Sequence, residues 1–325
     1  MQMTMMEAIR ASIREEMQLR KRLFMIGEDV GPYGGEMGLS QGLWAEFGDD
    51  RIKDAPISEA TIVGIGIGAA LTGCPAISEV PFSDFLGIAM DQICNQAAKM
   101  NYMFGGKAKI PLVVRSPIGA YLRGAAQHSQ SPEAWFTHVP GLKIVMPSTP
   151  VDAKGLMTKS IRDDGPVVFL EHKRLYHIKA EVPEGSYEIP FGVGRIVREG
   201  RDITVIATGY MVQFAEKAAN ELSQVNISCE IIDPRTLVPL DEEMILTSVR
   251  KTHKCVVVQE ANTRGGYSAD IAAMVSEKAY ESLNAPVLRI GSLDVPIPFS
   301  PVLEDEVLPN DKKIIDTVKK LFLKN

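Results

Sequence analysis

The chain has 325 residues, enough for two ordinary domains. It is 45% hydrophobic and 23% charged, a globular balance that argues against a disordered or fibrous protein. The net charge of −6, with no block of Lys or Arg, argues against a nucleic-acid partner. No apolar run reaches membrane-spanning length, so no membrane association is expected. The four cysteines, Cys74, Cys94, Cys229 and Cys255, form no CxxC pair and no zinc spacing. They read as reduced thiols of a cytoplasmic protein. The opening "MQMTMMEAIRASIREEM" lacks the apolar core of a signal peptide and is too acidic for a transit peptide.

Residues 4–21 carry Met5, Ile9, Ile13 and Met17 at helical spacing. "RLFMIGEDVG" reads as a short buried strand running into the glycine-rich loop "GPYGGEMGLSQGL". "PISEATIVGIGIGAALTG" is a helix with Ser58 as N-cap, "CPAISEVPF" a strand and "SDFLGIAMDQICNQAAKM" a long helix. "KIPLVVRSP" is a third strand, followed by a loop rich in Gly, Ala, Ser and one His. "GLKIVMPSTP" and "GPVVFLEHK" are two further strands, with the helix "VDAKGLMTKSIRDD" between them. The alternation lapses in the polar linker "HIKAEVPEGSYEIPFGVG", then restarts at "DITVIATG" and continues through "KCVVVQEA". Short apolar strands alternating with helices predict mostly parallel sheets covered on both faces. The expected fold is therefore α/β with two domains, 1–185 and 186–325.

Gly64, Gly66 and Ala69 satisfy the loose dinucleotide fingerprint G-x-G-x-x-G/A, and Asp84 falls about 20 residues later, where that motif places its ribose-binding acid. The fingerprint requires a buried strand before it, with the glycines in the turn. Here "RIKDAPISEA" is polar and leads into a helix, so the glycines fall inside that helix and an NAD-linked dehydrogenase is disfavoured. Alternate glycines there suggest close packing against another backbone or a ligand. No phosphate-binding P-loop, no G-x-S-x-G and no histidine metal spacing occurs.

A few residues stand out chemically. Glu59 is the one acid at the mouth of a small and apolar run. In the first helical turn it would complement the helix dipole, and a chemical role is the alternative. His128, in "RGAAQHSQSPEAWF", is either a loop histidine bonded to backbone or an acid–base group beyond a strand end. Phe82 and Phe85 read as core packing or as a stacking platform for a flat ring. Glu28 and Asp29 pair two acids at a strand end, facing either solvent or a polar ligand.

The stretches "GEDVG", "GLSQGLW", "PISEA", "FSDFLGIAMDQICNQAAK", "AAQHSQSPEAWF", "PGLKIVMPSTP", "KSIRDDGPVVFLE" and "DPRTLVPLD" span nearly the whole chain in order. Together they closely resemble β subunits of the thiamine-diphosphate-dependent first component of 2-oxoacid dehydrogenase complexes. "FLGIAMDQICNQAAKMNYMFGG" and "FLEHKRLY" look most like acetoin dehydrogenase β subunits, with pyruvate and branched-chain 2-oxoacid subunits as near relatives.

The resemblance implies an N-terminal pyrimidine-binding domain, a C-terminal domain of transketolase type and an α₂β₂ heterotetramer. It implies that Glu59, the acid of "SEA", hydrogen-bonds a pyrimidine nitrogen of thiamine diphosphate and so favours the tautomer that activates the thiazolium carbon. A buried carboxyl suits such proton sharing, while the cofactor carries the carbanion chemistry. By position, Glu28 matches an acid near the pyrimidine, Ile57 a cofactor contact, and Phe85 an aromatic on the pyrimidine, with Phe82 second to it. His128 matches a histidine that moves protons or receives the lipoyl group. Some members also hold a monovalent cation such as K⁺, largely through backbone oxygens. The matching positions are Leu112, Ser160, Ile161 and Asp163, with Gly165 where some relatives have Asn.

The G-D-G motif that holds Mg²⁺ and the diphosphate in thiamine enzymes is missing, "FGDDR" being its nearest match. The chain is thus expected to form half a site. An α subunit would supply Mg²⁺, diphosphate contacts and much of the substrate pocket, and a lipoyl-bearing acyltransferase would receive the product. A non-catalytic assembly subunit is the alternative of another class, and the presence of Glu59, Phe85 and His128 argues against it.

Overall fold

The structure, a computed structural model, describes residues 1–322. It divides into two compact units, one of Met1–Gly119 with Trp135–Phe191, the other of Ala120–Ala134 with the chain from Gly192 onward. Both alternate strands and helices as the apolar pattern predicts, and no helix among the described residues is long and apolar enough to cross a membrane.

The chain opens with β1 (Gln2–Thr4), α1 (Met5–Leu19), β2 (Phe24–Gly27), α2 (Leu43–Phe47) and β3 (Ile52–Asp54). Next come α3 (Glu59–Leu71), β4 (Ala76–Glu79), α4 (Ala98–Met103), β5 (Leu112–Ile118) and α5 (Glu133–Thr137). Then follow β6 (Lys143–Val145), α6 (Pro150–Arg162), β7 (Val167–His172) and β8 (Lys179–Glu181). Within the first unit the strand order is β6-β7-β5-β4-β2-β3, all parallel, and β1 pairs with β8 in a separate antiparallel ribbon. Every residue of β2, β4, β5 and β7 is buried, as a parallel sheet covered on both faces requires. Parallel pairing of β2 with β3 and β4 brings the ends Gly27, Asp54 and Glu79 to one edge. Ligands of open α/β sheets bind at such carboxyl ends.

Helix α3 holds Gly64, Gly66 and Gly68 inside it, which removes the dinucleotide reading. Ser58 occupies the N-cap position, but its hydroxyl bonds Thr61 Oγ1 at 2.7 Å instead of capping the backbone. Of the three glycines only Gly66 is forced by packing within the chain. A Cβ there would strike Ser78 Oγ and lie 2.8 Å from Leu112 Cδ1, whereas one at Gly68 would meet nothing within 4 Å. Ser78 cannot easily retreat, because it donates to the Ile62 carbonyl at 3.1 Å. Gly66→Ala is therefore expected to destabilise the protein by about 1–3 kcal/mol, while Gly68→Ala gains up to about 1 kcal/mol of helix propensity. Parallel thermal melts would show the two shifts in opposite directions.

The long helix expected over 83–100 is broken. Ser83–Gly87 forms a 3₁₀ turn, and Gln92–Ala97 winds as a π-helix before α4.

The second unit contains β9 (Arg195–Arg198), β10 (Ile203–Ala207), α7 (Met211–Ser223), β11 (Cys229–Asp233) and β12 (Thr236–Val238). It continues with α8 (Glu242–Thr252), β13 (Cys255–Asn262), α9 (Ser268–Lys278), β14 (Leu288–Ser292), α10 (Pro301–Val307) and α11 (Asp311–Phe322). Its sheet runs β14-β13-β10-β11-β9, parallel except for the antiparallel edge strand β9. α7 and α11 close one core over β10, β11 and β13 through Ala215, Leu222, Ile231, Val256, Ile314 and Val318. Cys229 and Cys255 are buried in this unit and all four thiols are free, as expected.

Candidate functional site

The residues after β2, β3 and β4 line a cavity of about 460 Å³ in the first unit. Glu28 and Asp29 enter from the end of β2, Ile57 from the segment joining β3 to α3, and Phe82 and Phe85 from the chain after β4. The glycine-rich loop adds Glu36. That loop turns tightly, with Gly34 and Gly35 at φ 93° and 85°. It is fastened by Gly35 N–H to the Asp29 carbonyl at 2.8 Å and by Gly31 N–H to Asp54 Oδ1 at 2.6 Å. A Cβ at Gly31 would lie 2.6 Å from Asp54 Oδ2, so any larger residue would have to displace the carboxylate that fastens the loop.

Glu28 is the unusual group of the cavity. Its Oε1 is buried and has no hydrogen-bond partner. Burial, then the charges of Glu59, Asp29 and Glu79, push its carboxyl above the ordinary range. Glu59, the first residue of α3, is only 5% exposed. Two carboxyls, from β2 and α3, thus share one electrostatic neighbourhood. Phe82 and Phe85 stand edge to face, with centroids 6.1 Å apart and planes at 83°, so they do not form one continuous platform. The Lys173 ammonium lies 5.2 Å from the centroid of Phe82 and covers a face of that ring. Ile57 is 83% exposed, a large apolar side chain held at the cavity rim.

The structure therefore brings Glu28, Ile57, Phe82 and Phe85 to one cavity, with Glu59 acting electrostatically on Glu28. His128 belongs to the segment Ala120–Ala134 of the second unit, where it is half-buried. Gly124 lets that segment fold back on it, since a Cβ there would lie 3.0 Å from the His128 carbonyl oxygen. The four cation-site positions lie at the start of β5 and the end of α6. The Asp163 carboxylate is already engaged, accepting from Lys143 Nζ at 2.8 Å and Gly165 N at 2.9 Å. Both bonds fall on Oδ1, so Asp163 would offer a monovalent cation its Oδ2 beside the backbone oxygens.

Sequence reasoning missed a buried ionic cluster within the sheet of the first unit. Arg115, 1% exposed on β5, donates to Glu79 on β4, to Glu171 on β7 and to the Tyr176 hydroxyl. Tyr176 in turn donates to Glu171 Oε2 at 2.7 Å. The signal was present as single charges within otherwise apolar strands, in "AISEV", "LVVRSP" and "VVFLEH".

Comparison with known proteins agrees with this arrangement. The family described as "Transketolase, pyrimidine binding domain" matches residues 1–179, and "Transketolase, C-terminal domain" matches 192–314. The chain is 46% identical to the "Acetoin:2,6-dichlorophenolindophenol oxidoreductase subunit beta" of Bacillus subtilis (strain 168), over 98% of this chain and 97% of that one. It is 43% identical to the "2-oxoisovalerate dehydrogenase subunit beta" of the same organism, over 98% of each chain. It is 44% identical to the "Pyruvate dehydrogenase E1 component subunit beta" of Rickettsia felis, over 99% of this chain and 98% of that one. Among solved structures, "Split gene transketolase, inactive beta4 tetramer" shares the fold, with a TM-score of 0.80, 22% identity and coverage of 98% of this chain and 97% of the other. The chain belongs to the family of β subunits of the thiamine-diphosphate-dependent first component of 2-oxoacid dehydrogenase complexes, an oxidoreductase family that includes the acetoin and pyruvate dehydrogenase β subunits.

Proposed function

We propose that this chain supplies the pyrimidine-binding half of a thiamine diphosphate site. It would act with an α subunit, in an α₂β₂ assembly, to cleave acetoin next to its carbonyl and pass the acyl group to a lipoyl-bearing acyltransferase. The observation that carries the reading is the composition of the cavity. An unpartnered buried carboxyl oxygen beside aromatic rings fits a flat, proton-bearing heterocycle such as an aminopyrimidine. The charged side chains lining it, Glu28, Asp29 and Glu36, are all acidic and would repel a diphosphate. This repulsion supports an α subunit as the source of Mg²⁺ and of the diphosphate contacts.

Thiamine diphosphate, when bound, supplies the nucleophilic carbon and electron sink for cleavage beside a carbonyl. The chain's own residues would prepare that group. Glu59 would hold a proton at a ring nitrogen, and the Glu28 carboxyl, its proton affinity raised by burial and by Glu59, would share one beside it. Phe85 and Ile57 would fix the plane of the ring and keep water from it. His128 would move a proton during acyl transfer. Acetoin is preferred as substrate on the quoted stretches "FLGIAMDQICNQAAKMNYMFGG" and "FLEHKRLY", the identities to acetoin, pyruvate and 2-oxoisovalerate subunits being similar at 46%, 44% and 43%.

The test is to isolate the tagged chain from its native lysate, sequence any stoichiometric partner, and assay the complex with thiamine diphosphate, Mg²⁺ and 2,6-dichlorophenolindophenol. A partner carrying G-D-G and turnover of acetoin are expected. Turnover of pyruvate or a branched-chain 2-oxoacid instead would overturn the substrate. A homo-oligomer without a partner would overturn the half-site.

A further inference from the structure

Three non-glycine residues of the segment that carries His128 adopt left-handed backbone conformations: Tyr121 at φ 65°, Arg123 at 61° and Ala125 at 60°. Such residues cost energy and persist only where the surroundings hold them. The holding groups are two buried carboxylates of the second unit. Glu260, on β13, accepts from the Ala120 amide at 2.6 Å and from the Ser131 hydroxyl at 3.0 Å. Both bonds fall on the same oxygen, Oε1, so one atom ties the two feet of the segment that carries His128. Glu304, on α10, accepts from the Tyr121 amide at 3.1 Å and from Arg123. Arg123 also reaches Asp305 Oδ1 at 2.8 Å, and the Tyr121 hydroxyl donates to the Pro309 carbonyl at 2.5 Å. The Tyr121 ring packs on Tyr210 and Phe214, with centroids 5.3 and 5.6 Å away.

Glu304 and the aromatic contacts fix the entry to the segment. Glu260 alone, of these groups, touches both ends. We propose that Glu260 is a positioning residue for His128, closing the loop so that the imidazole is held in one place. The inference rests on the reading of His128 as the proton-moving group of acyl transfer. It goes beyond that reading by naming what fixes it. Charge–amide bonds of this kind are short and directional, and a displacement of about 1 Å in such a group costs on the order of 100-fold in rate.

The test is a double-mutant cycle in the assembled complex, read as turnover with the lipoyl acceptor. Glu260→Ala should lower kcat by about 100-fold with KM nearly unchanged. Glu260→Gln should restore most of the rate, because its amide oxygen can accept both bonds. In a His128→Ala background, Glu260→Ala should have no further effect, since it acts through the missing ring. Ser131→Ala, which removes one tie with little risk to folding, should cause a smaller loss that also vanishes in that background. If His128→Ala impairs turnover while Glu260→Ala and Ser131→Ala leave it intact, the positioning role is overturned and the reading of His128 survives. Equal losses from Glu260→Ala with and without His128 would overturn it as well. Unimpaired turnover in His128→Ala would instead remove the reading of His128 on which the proposal stands.

Discussion

Glu59→Gln is expected to abolish cofactor-dependent turnover while leaving the chain folded. The substitution keeps the size of the side chain and removes only its charge and its capacity to take a proton. Structurally that is a small change. Glu59 complements the dipole of α3 from its first turn, a contribution of about 0.3–1 kcal/mol. Its negative charge also opposes that of Glu28, so part of this loss is offset by relief of like-charge repulsion. Chemically the change is large. A positioned proton-transfer group is worth about 10²–10⁴ in rate, and the amide of Gln cannot exchange its proton with a ring nitrogen. The measurement is turnover of the reconstituted complex beside a thermal melt of the same preparation. A melt within a few degrees of wild type, with turnover down by at least about 100-fold, is the expected pair of results. Wild-type turnover would remove Glu59 from the mechanism, and a collapsed melt would mean that the carboxylate is structural.

The cavity was legible in the sequence because its parts are local. "GEDVG" and "VPFSDF" each follow a short apolar strand, "PISEA" leads into a helix after the polar β3, and parallel strands deliver their ends to one edge. The strands were legible because β2, β4, β5 and β7 are buried throughout and so read as continuous apolar runs. What escaped is what depends on partners distant in the chain. Arg115 lies 36 residues from Glu79 and 56 from Glu171, and nothing in either neighbourhood announces the pairing. Glu260 is 140 residues from Ala120 and Glu304 is 183 from Tyr121, so the second unit's hold on the His128 segment could not be read from the loop itself. The π-wound Gln92–Ala97 segment escaped for a different reason. Its hydrogen bonds are shifted by one residue relative to an α-helix, which leaves no mark in residue type. Gly66 was half legible. Its place within a helix predicted close packing, but Ser78 and Leu112 as the neighbours that require it come only from the sheet.

Arg115→Leu is expected to be the most damaging single substitution in the first unit. The guanidinium is buried and serves three groups at once, Glu79, Glu171 and Tyr176. Its two carboxylate partners are 3% and 0% exposed. Burial and the charge of Glu171 push the Glu79 carboxyl up, and Arg115 is what brings it down. Removing the cation leaves burial and the Glu79–Glu171 repulsion unopposed and takes from both acids their arginine donor. Breaking a buried ion pair from one side costs about 3–5 kcal/mol, a large share of a domain's total stability. The pH dependence has a definite sign. A carboxyl whose folded pKa is raised binds more protons in the folded than in the unfolded state, so stability falls as pH rises above the unfolded value near 4.5. Without Arg115 the rise at Glu79 is larger, so the deficit of the variant should widen from pH 5 towards pH 8. Arg115→Lys should recover only part of the loss, because an ammonium has three donors and cannot span two carboxylates and a phenol with the planar fork of arginine. Denaturant melts of wild type and both variants at pH 5.5 and pH 8 would decide it. A deficit in Arg115→Leu that is small, or constant across that range, would show that the cluster is solvated and not the dry ionic core that its burial implies.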